Sequence, residues 1–113
     1  MRRPLIAGNW KMNCLQADGR QLASDVALYY RKQSAPSFDM LIAPPFTLLT
    51  ACAAQLTGSG VLLSAQDCSP FEKGAHTGDV SPVMIKDLAY EPECVCRLCD
   101  RLLAYSGCPM GGR

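Results

Sequence analysis

An asparagine and a lysine two positions apart, Asn9 and Lys11, sit in the run Leu5-Ile6-Ala7-Gly8-Asn9-Trp10-Lys11-Met12-Asn13 near the amino terminus. The residue types define a chemistry. Lys11 brings a compact positive charge, suited to a phosphate or to a developing enolate oxygen. Asn9 brings a neutral NH2 group that donates to a carbonyl or oxyanion. Leu5-Ile6-Ala7 reads as a buried strand, so both groups would arrive at its carboxyl end, the edge at which α/β folds bind ligands. An N-x-K pair has little specificity of its own, and the spacing alone fits a turn asparagine and a surface lysine equally well.

The single histidine, His76, lies in Gly74-Ala75-His76-Thr77-Gly78. Glycines on both sides mark a protruding loop rather than the surroundings of a tuned base. There are seven cysteines. Cys14, Cys52 and Cys68 are spread among apolar or loop residues and read as reduced thiols of a reducing compartment. Cys94, Cys96, Cys99 and Cys108 crowd together, which invites a zinc or iron–sulfur reading. Only Cys96 and Cys99 have knuckle spacing, however, and Leu98, Leu102 and Leu103 favour a helix.

These groups need elements to position them. The chain has 113 residues, 49% hydrophobic and 19% charged, which is ordinary globular material with enough length for one core. A net charge of +1 gives no electrostatic case for nucleic acid or an anionic membrane surface. No apolar run approaches the ~20 residues of a membrane-spanning helix. Met1-Arg2-Arg3-Pro4 is basic, but the apolar run behind it is too short for a signal peptide, so a cytoplasmic protein is the default.

The pattern predicts a strand over 5–9 and a helix over about 18–32, capped by the box Asp18-Gly19-Arg20-Gln21 with Leu22, Val26, Tyr29 and Tyr30 as its apolar face. Ser34-Ala35-Pro36-Ser37 breaks it. A second strand follows over 38–43, then an alanine-rich helix over 46–55 and a third strand over 61–66. After a loop, Ser81-Pro82 opens a further helix. Strands alternating with helices predict a parallel sheet in the order 1-2-3, with right-handed crossovers and helices on one outer face. Periodicity leaves an open sheet and a barrel both possible. No Gly-x-Gly-x-x-Gly follows the first strand, which weighs against dinucleotide binding.

Three blocks of the chain resemble the triosephosphate isomerase family in order and spacing. They are Ala7-Gly8-Asn9-Trp10-Lys11-Met12-Asn13, then Ala43-Pro44-Pro45-Phe46-Thr47-Leu48-Leu49, then Ala65-Gln66-Asp67-Cys68 leading to Gly74-Ala75-His76-Thr77-Gly78-Asp79-Val80-Ser81-Pro82. The resemblance covers residues 4–88. It implies α/β architecture built from parallel βα units of a (β/α)8 barrel. Such a barrel takes about 250 residues, so this chain would supply the first three to four units. Residues 1–88 would form the amino-terminal part, and 89–113 a divergent cysteine-rich tail.

The resemblance also implies a function: interconversion of dihydroxyacetone phosphate and D-glyceraldehyde 3-phosphate in glycolysis and gluconeogenesis, by a cytoplasmic homodimer. No metal or organic cofactor is implied, because the substrate's own carbonyl acidifies the proton. Lys11 would be catalytic and, with Asn9, would bind substrate. Gln66 would support both by hydrogen bonding. Met12 would pack against the partner's loop, and Thr77, with His76 beside it, would lie in the loop that crosses to the partner. The family is itself a standard worked case in which a glutamate base moves the proton while a neutral histidine polarises the carbonyl.

After Leu88 the likeness fails. The histidine of the family's fourth strand belongs near position 97, where this chain has Arg97, followed by Leu98 and Cys99 in place of serine and glutamate. Ala89-Tyr90-Glu91-Pro92 reproduces the residues around the family's glutamate, but some seventy residues too early. Two readings of different class follow. One is a triosephosphate isomerase piece, incomplete and inactive alone, whose tail 89–113 is non-native in origin. The other is a non-catalytic remnant with a cysteine-rich, metal-binding tail.

Overall fold

Asp39 anchors the start of the sheet. Its amide donates to the Pro4 carbonyl at 2.8 Å, and its carboxylate accepts from Arg3 Nε at 2.7 Å while Arg3 Nη2 donates to the Phe38 carbonyl at 3.0 Å. From that clamp, strand β1 (Leu5–Asn9) runs parallel to β2 (Asp39–Ala43), with Leu5 opposite Asp39 and Asn9 opposite Ala43. A short β3 (Leu62–Leu63) pairs with β2 through Leu41 and Ile42. The order is β1-β2-β3, all parallel. The computed structural model describes residues 2–88. The tail with Glu91, Arg97 and Cys94, Cys96, Cys99 and Cys108 lies outside the described residues.

Three helices complete the units: α1 (Gln16–Arg31), α2 (Leu49–Leu56), entered through a 3-10 turn at Phe46–Leu48, and α3 (Pro82–Asp87). They share one face of the sheet. Ile42 and Leu63 join Ala23 and Ala27 of α1, Cys52 and Leu56 of α2 and Ile85 of α3 in one buried cluster. Leu41 and Ala43, alternate residues of β2, form a separate small cluster with Leu62 on the other face. The parallel βα units expected from the sequence are therefore present, with the predicted strand order and the helices to one side.

Several local expectations need correction. Helix α1 starts at Gln16 rather than Asp18, with Leu15 at its cap position and no side-chain cap bond. The chain leaves a left-handed turn at Cys14 (φ 76°), so helical geometry begins as soon as that turn ends. Asp18 then sits in the first turn, where a carboxylate still favours the positive end of the helix dipole.

The buried face of α1 is also rotated from the predicted one. Gly19, Ala23, Ala27 and Tyr30 are buried, whereas Leu22 is 40% and Tyr29 53% exposed. Close packing against α2 and the 3-10 turn selects the small residues: a Cβ on Gly19 would lie only 3.0 Å from Leu48 Cδ1. Tyr30 keeps its predicted core place, with its hydroxyl donating to the Phe38 carbonyl at 2.9 Å, and Val26, partly buried, packs against the same cluster.

Strand β3 is shorter than 61–66. Ser64 N–H still bonds the Ile42 carbonyl at 2.9 Å, but beyond it Gln66 turns toward the end of β1 and the ladder stops. Helix α2 ends at Leu56, ahead of Gly58 and Gly60, whose φ of 71° and 83° no helix continues through. At α3 the expected cap holds, Ser81 Oγ accepting from Met84 N–H at 3.2 Å with Pro82 at the first position.

All five residues of β1 are exposed, and among the described residues its outer edge has no strand partner. Unpaired edges template pairing with other chains, and Leu5 and Ile6 add exposed apolar surface there. Light scattering on the isolated chain at micromolar concentration should therefore read species heavier than 12.2 kDa. A monodisperse monomer would refute this.

Candidate functional site

Where β1 ends, the backbone takes a conformation that its residues do not choose freely. Lys11 has φ 57°, in the left-handed region that is uncommon for residues other than glycine. Such a conformation persists only where the surroundings over-determine it. Here they do. Asn9 Oδ1 accepts from the Lys11 N–H at 2.9 Å, and Gln66 Nε2 donates to the Lys11 carbonyl at 2.8 Å. Gln66 Nε2 also reaches the Ala43 carbonyl at 2.9 Å, which already accepts from Trp10 N–H at 3.1 Å. The peptide groups on both sides of the Lys11 Cα are thus tied to β1, β2 and the segment after β3.

The consequence is a presented cation. With its backbone fixed, the exposed Lys11 side chain leaves the carboxyl edge of the sheet. Asn9 spends its oxygen on Lys11, so its NH2 is the half left to meet a ligand. These bonds bring Asn9, Lys11 and Gln66 together. Met12, next to Lys11, is 94% exposed and free of the core.

His76 and Thr77 are placed elsewhere. Both are exposed in the loop between β3 and α3, and among the described residues no hydrogen bond joins either to Asn9 or Lys11. His76 stacks on Phe71, ring centroids 4.3 Å apart and planes 3° from parallel. The same loop turns at Gly78, φ 90°.

Two ionisable groups near the sheet are shifted from their ordinary values. Burial pushes the Cys52 thiol up to about 11, with a smaller push from Cys14, so Cys52 is a neutral core residue and a poor nucleophile. The hydrogen bond to Asp39, chiefly, raises the Arg3 guanidinium further and keeps it charged. Cys14 and Cys52 are thiols, and Cys68 Sγ donates to the Ser69 carbonyl at 3.4 Å. Among the described residues no three metal-ligating side chains cluster. No helix among them is long and apolar enough to cross a membrane.

The profile of the triosephosphate isomerase family matches residues 4–95. The chain belongs to the triosephosphate isomerase family. Its relatives include the triosephosphate isomerase of Xanthobacter flavus, 48% identical over 86 residues, which are 76% of this chain and 33% of that protein. That of Gluconacetobacter diazotrophicus is 44% identical over 89 residues, 79% of this chain and 36% of that one. Among solved structures, the triosephosphate isomerase of Bartonella henselae superposes with a TM-score of 0.65 at 36% identity, covering 78% of this chain and 35% of its own. The chain spans about a third of the length of the curated relatives it matches.

The fold is that of the family's barrel units, a three-stranded parallel sheet with helices. The match to the triosephosphate isomerase family passes Leu88 and ends at residue 95, so Glu91 falls within it while Arg97, Leu98, Cys99 and Cys108 do not. Sequence reasoning missed two participants in the site. One is the Ala43 carbonyl, a backbone acceptor that no residue type announces. The other is Asn13, whose Nδ2 donates to the Trp10 carbonyl at 2.7 Å.

Proposed function

We propose that this chain carries the phosphate- and oxyanion-facing side of a triosephosphate isomerase, the enzyme that interconverts dihydroxyacetone phosphate and D-glyceraldehyde 3-phosphate in glycolysis and gluconeogenesis. The observation that carries the reading is Lys11 held at φ 57° between Asn9 Oδ1 and Gln66 Nε2. A point charge fixed at that edge, beside an amide NH2, suits a triose phosphate dianion and the negative charge that develops on its carbonyl oxygen. Enolisation needs no resident metal or cofactor, since the substrate carbonyl acidifies the adjacent C–H. The protein is read as cytoplasmic. Met12, His76 and Thr77, all exposed, are read as surface for a second copy in a homodimer.

The second part of the proposal is that the 113-residue chain by itself is an incomplete, inactive fragment, because the polarising histidine of the family has no counterpart near position 97. The metal-binding remnant rests entirely on the cysteines of 94–108, which lie outside the described residues, and nothing favours it further.

Trp10, the only tryptophan, lies between the two proposed ligands and reports on them directly. Dihydroxyacetone phosphate added to the chain, at protein concentrations too low for self-association, should change Trp10 emission. The change should vanish in Lys11→Ala. A response that survives in Lys11→Ala, or none in either chain, would overturn the assignment of Lys11.

A further inference from the structure

The loop 10–14 contains two left-handed residues that are not glycine, Lys11 at φ 57° and Cys14 at φ 76°. Residues with a Cβ rarely adopt this conformation, so the loop between β1 and α1 is held against its own preference. Asn9 and Gln66 tie Lys11 to what precedes it and to the far side of the sheet. Neither restrains the chain beyond the Lys11–Met12 peptide. Met12 is almost fully exposed and packs on nothing that could do so. The restraint comes from Asn13, whose Nδ2 reaches back three residues to the Trp10 carbonyl at 2.7 Å. Trp10 N–H is in turn bonded to Ala43 of β2. Asn13 therefore closes the loop back onto Trp10, the residue whose N–H the sheet already holds.

We infer that Asn13 is a positioning residue for Lys11: its side-chain bond to the Trp10 carbonyl completes the frame that fixes the left-handed lysine and aims its ammonium group out of the carboxyl edge of the sheet. The conformational claim stands on the bonds alone. Its use, presentation of a cation to a phosphate, rests on the proposed function.

The test reads the backbone at Lys11 rather than any activity, so it can fail independently of that function. Trypsin cuts after lysine, but only where the chain can open locally into an extended form. In the parent chain the Lys11–Met12 bond, fixed at both peptide groups, should be cut slowly compared with the exposed Lys73. Fragment yields by mass spectrometry give the ratio of the two cuts, and a global loss of stability moves both together. Asn13→Ala should raise the Lys11:Lys73 ratio about fivefold, as the loss of one net hydrogen bond implies. It should also shift Trp10 emission to the red, with helical circular dichroism unchanged. Asn13→Asp, the same shape without the donor, should do the same. An unchanged ratio in both variants, with Trp10 emission also unchanged, would overturn the role. If Asn13→Ala fails to fold, Asn13→Asp decides.

Discussion

A coupled assay on the purified 113-residue chain is expected to read no isomerisation of triose phosphates above host background. Isomerisation is differential binding of an enediolate, which needs a base at one side of the substrate and an electrophile at the other. The described residues offer Lys11 and Asn9, groups that hold negative charge but neither remove the proton nor polarise the carbonyl as an imidazole would. The only histidine, His76, is stacked on Phe71 in the loop before α3 and is not bonded to the Asn9–Lys11 pair. Loss of one donor of this kind costs ~10²–10³ in rate, and loss of the base multiplies that. Lys11→Ala, purified in parallel, exposes contaminating host enzyme because contamination survives the substitution. Activity that is well above background in the parent and absent from Lys11→Ala would refute the expectation. Glu91→Gln would then be the next variant, since Glu91 is the candidate base by motif and falls within the family match.

Leu48→Ala should remove about 2–5 kcal/mol of stability, the range for deleting most of a fully buried leucine. Leu48 is 1% exposed and sits against the smallest residue of α1, with its Cδ1 filling the space where a Cβ on Gly19 would stand. It thereby joins the turn into α2 to α1, beside the α1–α2 contact that is the most extensive helix–helix packing among the described residues. Small domains have only 5–15 kcal/mol in all, and here β1 is exposed along its length, so little reserve remains. Urea unfolding followed by circular dichroism should show a large fall in midpoint, or no cooperative transition at all. Gly19→Ala tests the same contact from the other side. Helix propensity favours alanine by ~1 kcal/mol, but the new Cβ would stand 3.0 Å from Cδ1 and 3.2 Å from Cδ2 of a fully buried leucine, so the substitution should destabilise. A more stable Gly19→Ala, or a loss below about 1 kcal/mol for Leu48→Ala, would show that this contact matters less than its geometry indicates.

The architecture was legible because its signals are local. Leu5–Asn9 and Asp39–Ala43 fall within a residue of the strands read from apolar runs and proline stops, and Ser81-Pro82 opened a helix as its chemistry required. Alternation of strand and helix then leaves one easy topology, since sequential units pack side by side with one handedness. The face of α1 was not legible. Leu22 and Tyr29 have the right spacing for a core stripe, yet Gly19, Ala23 and Ala27 are what the close approach of α2 admits, with Val26 partly buried beside them. Periodicity records which residues are apolar, whereas packing distance decides which of them can be covered.

The sequence by itself determined the family and the presence of an asparagine and a lysine at the carboxyl end of the first strand, because these depend on residue identity and order. Only the tertiary structure decided what those two residues become. The left-handed turn at Lys11 is imposed by Gln66, fifty-five residues away in sequence, and by the Ala43 carbonyl of a neighbouring strand. A non-glycine residue does not take that conformation on its own account. The amide oxygen of Asn9 accepts from the Lys11 N–H within the same turn, since the turn leaves that donor to be satisfied. The Asn9 bond is local, two residues apart, but the Gln66 bond is not written in any window of sequence around Lys11, because it depends on where two other strands end.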